Sequence, residues 1–269
     1  MTDHLLRGHA PIADEVWEVL DDEARGRLTV ALGARKLIDL AGPLGWQHSA
    51  TNLGRVGPVL AASVDGVVGR ARRVLPLTEL RADFTLPREE LVNATRGAAD
   101  VDLGSLDAAA HRLASAENAA VFHGWPDAGI TGIIAASPHE PLRHEPGAAP
   151  FEAVVAIAVA TLKGAGIGGP YALALCPDDW TAVIESTDRG YPLLKYLADV
   201  LDGPIEWVPG LHDSVVLSTR GGDWLLELGA DISLGYADHT ADAVSLYLEE
   251  SLSFRVATPE AAIAIRTAS

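Results

Sequence analysis

The sequence predicts an α+β protein, because helical and strand patterns occur in runs and do not alternate strictly along the chain. An amphipathic helix opens the sequence, two long helical segments occupy its middle, and the C-terminal part alternates apolar and polar residues. There Val244, Leu246 and Leu248 oppose Ser245 and Tyr247, which is typical of half-buried antiparallel strands. A chain of 269 residues suffices for one large domain or two modest ones.

The first helix is predicted to begin at Pro11, since proline suits a first helical turn, and to end at Leu32 before Gly33. "RKLIDL" follows as a short strand. The apolar residues of the helix recur at helical spacing and share one face: Ile12, Val16, Trp17, Val19, Leu20, Ala24, Leu28 and Ala31.

A long Gly-rich segment follows that strand and shows little periodicity. Because such a segment does not suit the interior of a compact domain, it is interpreted as an extended arm that finds its partners on another chain. Strand character resumes in "LPLTELRADFTLP", and a long helix is predicted between Ser105 as N-cap and Gly124 as stop.

The second half of the chain continues with helices and one clear strand. "PFEAVVAIAVATLKGAG" is apolar nearly all round and predicts a buried helix. "PYALALC" predicts a strand, and "PDDWTAVIES" and "YPLLKYLADVL" predict two more helices.

Composition and charge narrow the class of protein. The formal net charge of −17 argues against a nucleic-acid partner held by a global positive field. Hydrophobic residues make up 48%, which suggests apolar surface buried against other copies. The single cysteine, Cys176, excludes an internal disulfide and favours a cytoplasmic protein. No apolar run is long enough to span a membrane, and the N-terminus does not resemble a signal peptide, so we expect no membrane partner.

Three stretches imitate catalytic or ligand-binding motifs. "GAGIGG" (Gly164–Gly169) matches a dinucleotide motif in letters, but a helix precedes it and a strand follows, so a helix-to-strand turn is the better interpretation. "HEPLRHE" (His139–Glu145) has one residue too many for a zincin and contains Pro141, which favours a loop over a zinc site.

The third stretch, "YADHTAD", brings Asp238, His239 and Asp242 together. An Asx-type loop explains these residues better than a metal site does. Neither a G-x-S-x-G elbow nor a P-loop is present, and Cys176 sits in an apolar run that predicts a buried thiol. We therefore predict no catalytic residues, no metal site and no enzyme.

Seven stretches in the right order resemble the encapsulin shell proteins, of the linocin or bacteriocin type. They start with "APIADEVWEVLDDEA", "GARKLID" and "GPLGW", and continue with "LPLTELRADFTL", "VFHGWPDAGITGI", "GGPYALAL" and "GYPLLKYL". The long stretch "TRGGDWLLELGADISLGYADHTADAVSLYLEESLSF" is the most specific addition. The resemblance covers nearly the whole chain.

The resemblance implies the fold of tailed-bacteriophage major capsid proteins, called Hong Kong 97-like. Residues 1–33 would form the N-terminal helix, and residues 43–75 the extended arm. Residues 126–232 would form an apical domain. The peripheral domain would be discontinuous and consist of three segments: 34–42, 76–125 and 233–269.

The resemblance also implies a function. Such proteins assemble, in roughly sixty copies for chains of this length, into closed icosahedral compartments that enclose cargo. The cargo would be an enzyme such as a dye-decolourising peroxidase or a ferritin-like protein, carrying a short C-terminal targeting peptide. A viral capsid protein of the same fold and a bacteriocin- or peptidase-like enzyme are the alternatives. We predict no bound cofactor, because the segment between Val64 and Pro76 has no aromatic residue on which a flavin could stack.

Two sites follow from the resemblance. The "IESTDRGYP" loop would surround a five-fold pore through Glu185, Thr187, Asp188, Arg189 and Tyr191. The cargo peptide would bind an apolar groove beside the first helix, for which plain core is the alternative interpretation. On strands, alternate residues share a face, so two sets of three are expected to join Leu28 there: Arg35, Leu37 and Asp39, with Ile232, Leu234 and Tyr236.

Overall fold

The structure is a computed structural model that describes residues 4–144, 150–188 and 191–267. The α-helices of these ranges are α1 (Asp14–Ala31), α2 (Arg88–Thr95), α3 (Gly104–Phe122), α4 (Ile133–Ala136), α5 (Phe151–Gly164), α6 (Pro177–Glu185) and α7 (Leu193–Leu201). The strands are β1 (Asp39–Ala41), β2 (Ala50–Ala61), β3 (Val68–Pro76), β4 (Thr78–Pro87), β5 (Gly124–Trp125), β6 (Ile130–Thr131), β7 (Leu142–His144), β8 (Tyr171–Leu175), β9 (Thr187–Asp188), β10 (Tyr191–Pro192), β11 (Ile205–Trp207), β12 (Ser214–Ser218), β13 (Trp224–Leu228), β14 (Ser233–His239), β15 (Ala243–Val256) and β16 (Ala262–Thr267).

The first sheet is built around β15, a single strand of 14 residues. β4 pairs antiparallel with one edge of β15, while β14 and then β13 pair with its other edge. β1 extends the sheet in parallel beside β13. Helix α3 packs between this sheet and α1, and its buried alanines allow the close approach. The core of this half therefore lies between the sheet and α3.

The second sheet has the order β11-β8-β12-β16-β7. Every residue of β8 and of β12 is buried, as expected for strands covered on both faces. Helices α5, α6 and α7 pack around these strands. The strand and helices predicted for this half are therefore present, but the chain that builds the sheet does not come from one continuous segment.

The predicted apical and peripheral ranges differ from the sheets at two places. β13 falls inside the range 126–232 but belongs to the first sheet, and β16 falls inside 233–269 but pairs with β12 in the second. Gly221 and Gly222, with φ of 86° and 82°, turn the chain from one sheet to the other, a conformation that glycine adopts without a steric penalty. Each sheet therefore contains one strand from the range assigned to the other domain.

The segment 43–75 forms an antiparallel hairpin of β2 and β3, which we call the arm. Most of its side chains are exposed on both faces, including Val56, Val59 and Val68. A two-stranded hairpin without a covered face is marginal in water. The arm therefore has the extended form that the sequence predicts.

Helix α1 begins at Asp14, three residues after the predicted start, so the expectation for Pro11 is wrong. Asp14 and Glu15 lie in its first turn, where negative charge is favourable. The expected apolar face is buried except at its edge, where Val19 is exposed. Gly33 has helical angles and does not reverse the chain; a Cβ there would lie 2.6 Å from the Trp207 carbonyl oxygen.

Two other helix details also differ. Ser105 is not the N-cap of α3, because Leu103 holds that position and the Ser105 hydroxyl donates to the carbonyl of Thr85 at 2.7 Å. α5 is not buried all round: Val155 and Ala158 are fully buried, but Ile157 is exposed.

Candidate functional site

A groove of about 530 Å³ lies between α1 and β14, the edge strand of the first sheet. Ala24 and Leu28 reach it from α1 and Leu32 from the residue that caps it, since residues three or four apart lie on the same helical face. Ile232 and Leu234 reach it from the sheet side. The result is a surface trough with an aliphatic floor. Half of its lining residues are polar or charged: Arg7, Asp21, Arg25, Thr29, Arg35, Asp231 and Ser233.

The structure brings four of the seven predicted groove residues together: Leu28, Arg35, Ile232 and Leu234. Leu28 is mostly buried within the single chain, so the trough is shallow at this point. The first helix and the segment around residue 232 therefore lie side by side as expected, but not all of the predicted residues line the groove between them.

The other three predicted residues do not line the groove. Leu37 is a core residue, Asp39 Oδ2 accepts from the Gly222 amide at 2.6 Å, and the hydroxyl of the mostly buried Tyr236 lies 2.5 Å from Nδ1 of His239. The predicted strand alternation fails because Ala34–Lys36 form a 3-10 turn and β1 starts only at Asp39. For Leu37 the plain-core interpretation is correct.

One wall of the groove comes from residues before α1 that the sequence did not indicate. Leu5 and Arg7 line it, and the Leu5 carbonyl accepts from the Tyr236 amide at 2.8 Å. Arg7 donates through Nε to the Leu234 carbonyl and pairs with Asp21 at 2.5 Å. The segment is too short to show a period, so hydrophobic patterning gave no signal for it.

Arg35 is the centre of a charged cluster beside the groove. Its guanidinium reaches Glu117 at 2.5 Å, Asp231 at 2.7 Å and Glu250 at 2.9 Å. Glu117 and Glu250 are fully buried, whereas about half of the Asp231 side chain is exposed. One cation thus joins the 3-10 turn to α3, to β15 and to the residue before Ile232.

Burial and these carboxylates shift the pKa values of the cluster. Burial alone lowers the pKa of Arg35, but the bonds with Glu117 and the charge of Glu250 outweigh it and raise the pKa. Burial raises the pKa of Glu250 well above its usual value, and the charge of Glu117 adds to the shift. Arg35 therefore stays charged, and Glu250 retains its proton to a higher pH than an exposed glutamate.

The predicted pore loop connects α6 and α7. Glu185 is the last residue of α6 and is exposed, and β9 pairs with β10 in the register Asp188 to Tyr191 and Thr187 to Pro192. Arg189 lies outside the described residues. The described positions of this prediction thus lie on or beside a short pair of strands between two helices.

The lone cysteine precedes α6, a helix-start position that the sequence interpretation overlooked. Burial raises the pKa of the Cys176 thiol, which disfavours the reactive thiolate. Its Sγ lies 3.6 Å from the Ser214 hydroxyl, and that hydroxyl donates to Asp179 at 2.5 Å. The expectation of a buried thiol is confirmed, since Cys176 is 5% exposed.

The three stretches that resemble catalytic or ligand-binding motifs form ordinary helix ends, turns and strands. "GAGIGG" ends α5 and leads into β8, as predicted. "HEPLRHE" is not entirely a loop, because Leu142–His144 pair with β16, while Glu145 lies outside the described residues. Asp238 and His239 end β14, where Asp238 Oδ1 accepts from the His239 amide at 2.7 Å.

A search of the described residues for three or more clustered His, Cys, Asp or Glu side chains that could hold a metal ion finds no such group. Within the described ranges, no helix is both long and apolar enough to cross a membrane.

Comparison with known proteins identifies relatives across the whole chain. A family model described as "Encapsulating protein for peroxidase" matches residues 1–253. A type 1 encapsulin shell protein of Rhodospirillum rubrum is 44% identical over 268 residues, which cover 97% of this chain and 96% of the relative. One from Rhodococcus erythropolis is 38% identical, with 97% and 99% covered.

Solved structures show the same fold at low sequence identity. A virus-like particle from Pyrococcus furiosus aligns with a TM-score of 0.64 and 14% identity, covering 93% of this chain and 99% of that chain. A structure from Gordonia phage Cozz aligns with a TM-score of 0.54 and 14% identity, covering 87% and 85%. The Hong Kong 97-like capsid fold is therefore confirmed. Because the family model spans most of the chain and the Rhodospirillum rubrum relative is 44% identical over 97% of it, the chain belongs to the encapsulin shell protein family.

Proposed function

We propose that this protein is the subunit of a closed icosahedral shell that assembles from roughly sixty copies and encloses a cargo enzyme. The arm is the observation that carries the proposal. It is a long hairpin with exposed valines on both faces, which has no reason to be stable unless another copy covers it. The family description names a peroxidase as the enclosed protein, so a peroxidase is the first cargo to test.

Charge supports association through the arm. Arg55, Arg70, Arg72 and Arg73 against Asp65 give residues 43–75 a formal charge of +3, which leaves −20 on the rest of the −17 chain. An exposed basic arm is attracted to the acidic body of a neighbouring copy, even though two whole chains repel each other. The arm is thus a surface at which self-association is electrostatically favoured.

The test is the mass of the purified protein. Sixty copies of a 28.2 kDa chain give a particle of about 1.7 MDa. A stable species below about 100 kDa at micromolar concentration, with no larger particle, would contradict the proposal. Particles filled with DNA rather than protein would favour the viral alternative, and hydrolytic activity in empty particles would favour the enzyme.

We further propose that the groove beside α1 receives the C-terminal targeting peptide of the cargo. Leu28, Ile232 and Leu234 line the groove, Ile232 partly exposed and the other two mostly buried in the single chain. This lining suits a peptide that carries two or three aliphatic anchors. Each anchor that becomes fully buried contributes roughly 1.5–3 kcal/mol. Arg35 and Asp231 give the trough a polar end that can orient the peptide.

The groove is tested by co-expressing shell variants with the native cargo. Ile232→Asp should give intact shells that lack cargo, because a charge in the trough opposes burial of an aliphatic anchor. Val30→Asp is the matched control, since Val30 is exposed on α1 and does not line this groove. Normal loading of Ile232→Asp shells would contradict the proposal. Leu37→Asp should instead prevent folding, because Leu37 lies in the core.

The hairpin between α6 and α7 is proposed to surround a pore at the five-fold axis. Five copies of Glu185, Asp188 and Arg189 would then form rings of charge, which select among small ions. Shortening the loop from 185 to 190 should change the rate at which charged substrates reach the cargo. Unchanged entry kinetics through a visibly wider opening would contradict this role.

In this proposal the cargo does the chemistry and the shell is not an enzyme. The curated relatives are named as shell proteins, which agrees with that division. The buried Cys176, whose raised pKa disfavours the thiolate, also agrees with it. A cytoplasmic location remains a prediction from the single cysteine.

A further inference from the structure

The arm joins the body at a compact attachment, which we call the arm root (residues 44–51 and 77). Three backbone hydrogen bonds tie it down. The Leu44 amide donates to the Leu228 carbonyl at 3.0 Å, and the Gly45 amide donates to the Gly229 carbonyl at 2.7 Å. The Leu77 amide donates to the Ser49 carbonyl at 2.9 Å, which closes the root on its other side. These bonds hold the base of the arm but do not by themselves fix its direction.

Side-chain hydrogen bonds in a polar cluster also attach the root to the body. Glu227 of β13 accepts through one carboxylate oxygen from the Thr51 hydroxyl at 2.6 Å and from Nε2 of His48 at 2.8 Å. The Thr51 hydroxyl also contacts the hydroxyl of Ser253 on β15. Thr51 is 3% exposed, so this contact is shielded from water. A hydrogen bond to a carboxylate is about twice as strong as one between neutral groups.

The shielded part of the arm ends immediately after this cluster. Asn52 and most residues up to Val74 are exposed. The ladder of β2 and β3 shifts register between Asn52 and Arg55, and Gly54 has a φ of 64° there. A bulge of this kind bends a strand and increases its twist. The cluster is thus the last buried side-chain contact on β2 before the bend, within the described residues.

The length of the arm makes its direction sensitive to the root. β2 has 12 residues, which at about 3.3 Å each gives a lever of about 40 Å. A rotation of about 10° at the root moves the tip by about 7 Å, more than twice the length of a hydrogen bond. A neighbouring copy that receives the arm is therefore displaced by several ångströms when the root is loose.

We propose that Glu227 is a positioning residue that fixes the direction of the arm and thereby the angle between neighbouring copies in the shell. The inference rests on the proposed shell function. The carboxylate links His48 and Thr51 of the arm root to β13, and the Thr51 hydroxyl links the root to β15 through Ser253. Its role is to select one particle size rather than to supply the energy of association, which comes from the exposed surface of the arm.

The experiment compares the diameter of shells from Glu227→Ala with those from the unchanged protein, by electron microscopy and mass measurement. We expect one diameter for the unchanged protein. For Glu227→Ala we expect a size distribution at least twofold broader, with open or larger particles. Glu227→Gln should restore a single diameter at neutral pH, because its amide oxygen still accepts from Thr51. Glu15→Gln, on the exposed face of α1, controls for the loss of one negative charge per copy.

Glu227→Ala shells with the unchanged diameter and arm direction would overturn the proposal. If that variant does not fold, Thr51→Val decides in its place, since it keeps the volume and removes only the hydroxyl. Its shells should show the same broadening, and an unchanged diameter would again overturn the role of the cluster. Failure of the unchanged protein to form any particle would instead refute the shell function, and this inference with it.

Discussion

The arm and the body of this protein contain similar apolar residues but place them in opposite environments. In the body, valines and leucines of β8 and β12 are buried on both faces. In the arm, valines of β2 and β3 are exposed on both faces. The arm also carries four arginines and one aspartate, whereas acidic residues outnumber basic ones in the rest of the chain. The body therefore has a buried core of its own, whereas the arm has almost none. In the proposed shell, stability and assembly would thus be assigned to different segments.

Removing the arm should have the largest effect on this comparison. Asn52 and Val74 face each other in the ladder, so an Asn-Gly turn can replace residues 53–73. We expect a folded body with unchanged helix content and complete loss of particles, because the surface that another copy covers is gone. Light scattering measures the mass and circular dichroism the fold. Particles of the original size from the armless chain would contradict the division.

A single core substitution should separate stability from assembly. Leu173→Ala, at a fully buried position of β8, should lower the free energy of unfolding by about 2–5 kcal/mol. Val59→Ala, on the exposed arm, should change it by less than about 0.5 kcal/mol yet reduce the yield of particles. Chemical denaturation under conditions that keep the chains unassembled gives both values. A large loss of stability from Val59→Ala would mean that the arm belongs to the cooperative body.

Charge reversal on the arm tests the electrostatic part of the comparison. Arg72→Glu with Arg73→Glu changes the charge of the arm from +3 to −1 and that of the chain from −17 to −21. Arg88→Glu with Arg96→Glu makes the same change on the body. We expect several-fold fewer particles from the arm variant at low salt and partial recovery at high salt, since screening acts over about 8 Å at 0.15 M. Equal yields from the two variants would show that the total charge, not the arm, controls association.

The smallest expected effect concerns the buried carboxyl of Glu250. Its pKa in the folded state is raised above the usual 4.5, mainly by burial and also by Glu117. The folded state then binds more protons than the unfolded state above pH 4.5, so stability falls as the pH rises through this range. Glu250→Gln removes this titration and should raise the melting temperature at pH 8, with a difference that shrinks towards pH 4.5. A lower melting temperature at pH 8 would mean that the charge stabilises Arg35 more than its burial costs.

The predictable parts of the fold were those with a strong period. The apolar face of α1 and the buried run of β8 follow from hydrophobic spacing. The half-buried interpretation of β15 is wrong, because Tyr247, Ser251 and Ser253 on its more polar face are buried as well. The 3-10 turn at Ala34–Lys36 did not follow, because a short apolar-polar alternation fits both a strand and a turn. That one misassignment placed Leu37 and Asp39 in the groove, whereas Arg35, Leu28 and Ile232 do line it.

Hydrophobic periodicity does not predict which distant segments of the chain pair with each other. Nothing in the spacing of Leu5 and Arg7 indicates that they meet Tyr236 and Leu234, more than 220 residues away in the sequence. The sequence also does not show that β13 joins the first sheet and β16 the second, since both have the pattern of ordinary strands. The same limit applies to the arm root, where Glu227 contacts Thr51 across 176 positions.

The position of β15 and β16 at the end of the chain has a consequence for synthesis. β15 is the centre of the first sheet, and β16 lies between β12 and β7 in the second. Each of them follows every other described strand of its sheet in the sequence, so it leaves the ribosome after them, whereas domains otherwise fold from the N-terminus at the pace of translation. Neither sheet can close before these strands have been synthesised, so a nascent chain carries its arm well before its body is complete. In the proposed shell, the order of the strands would thus delay the formation of the surface that receives a neighbouring arm.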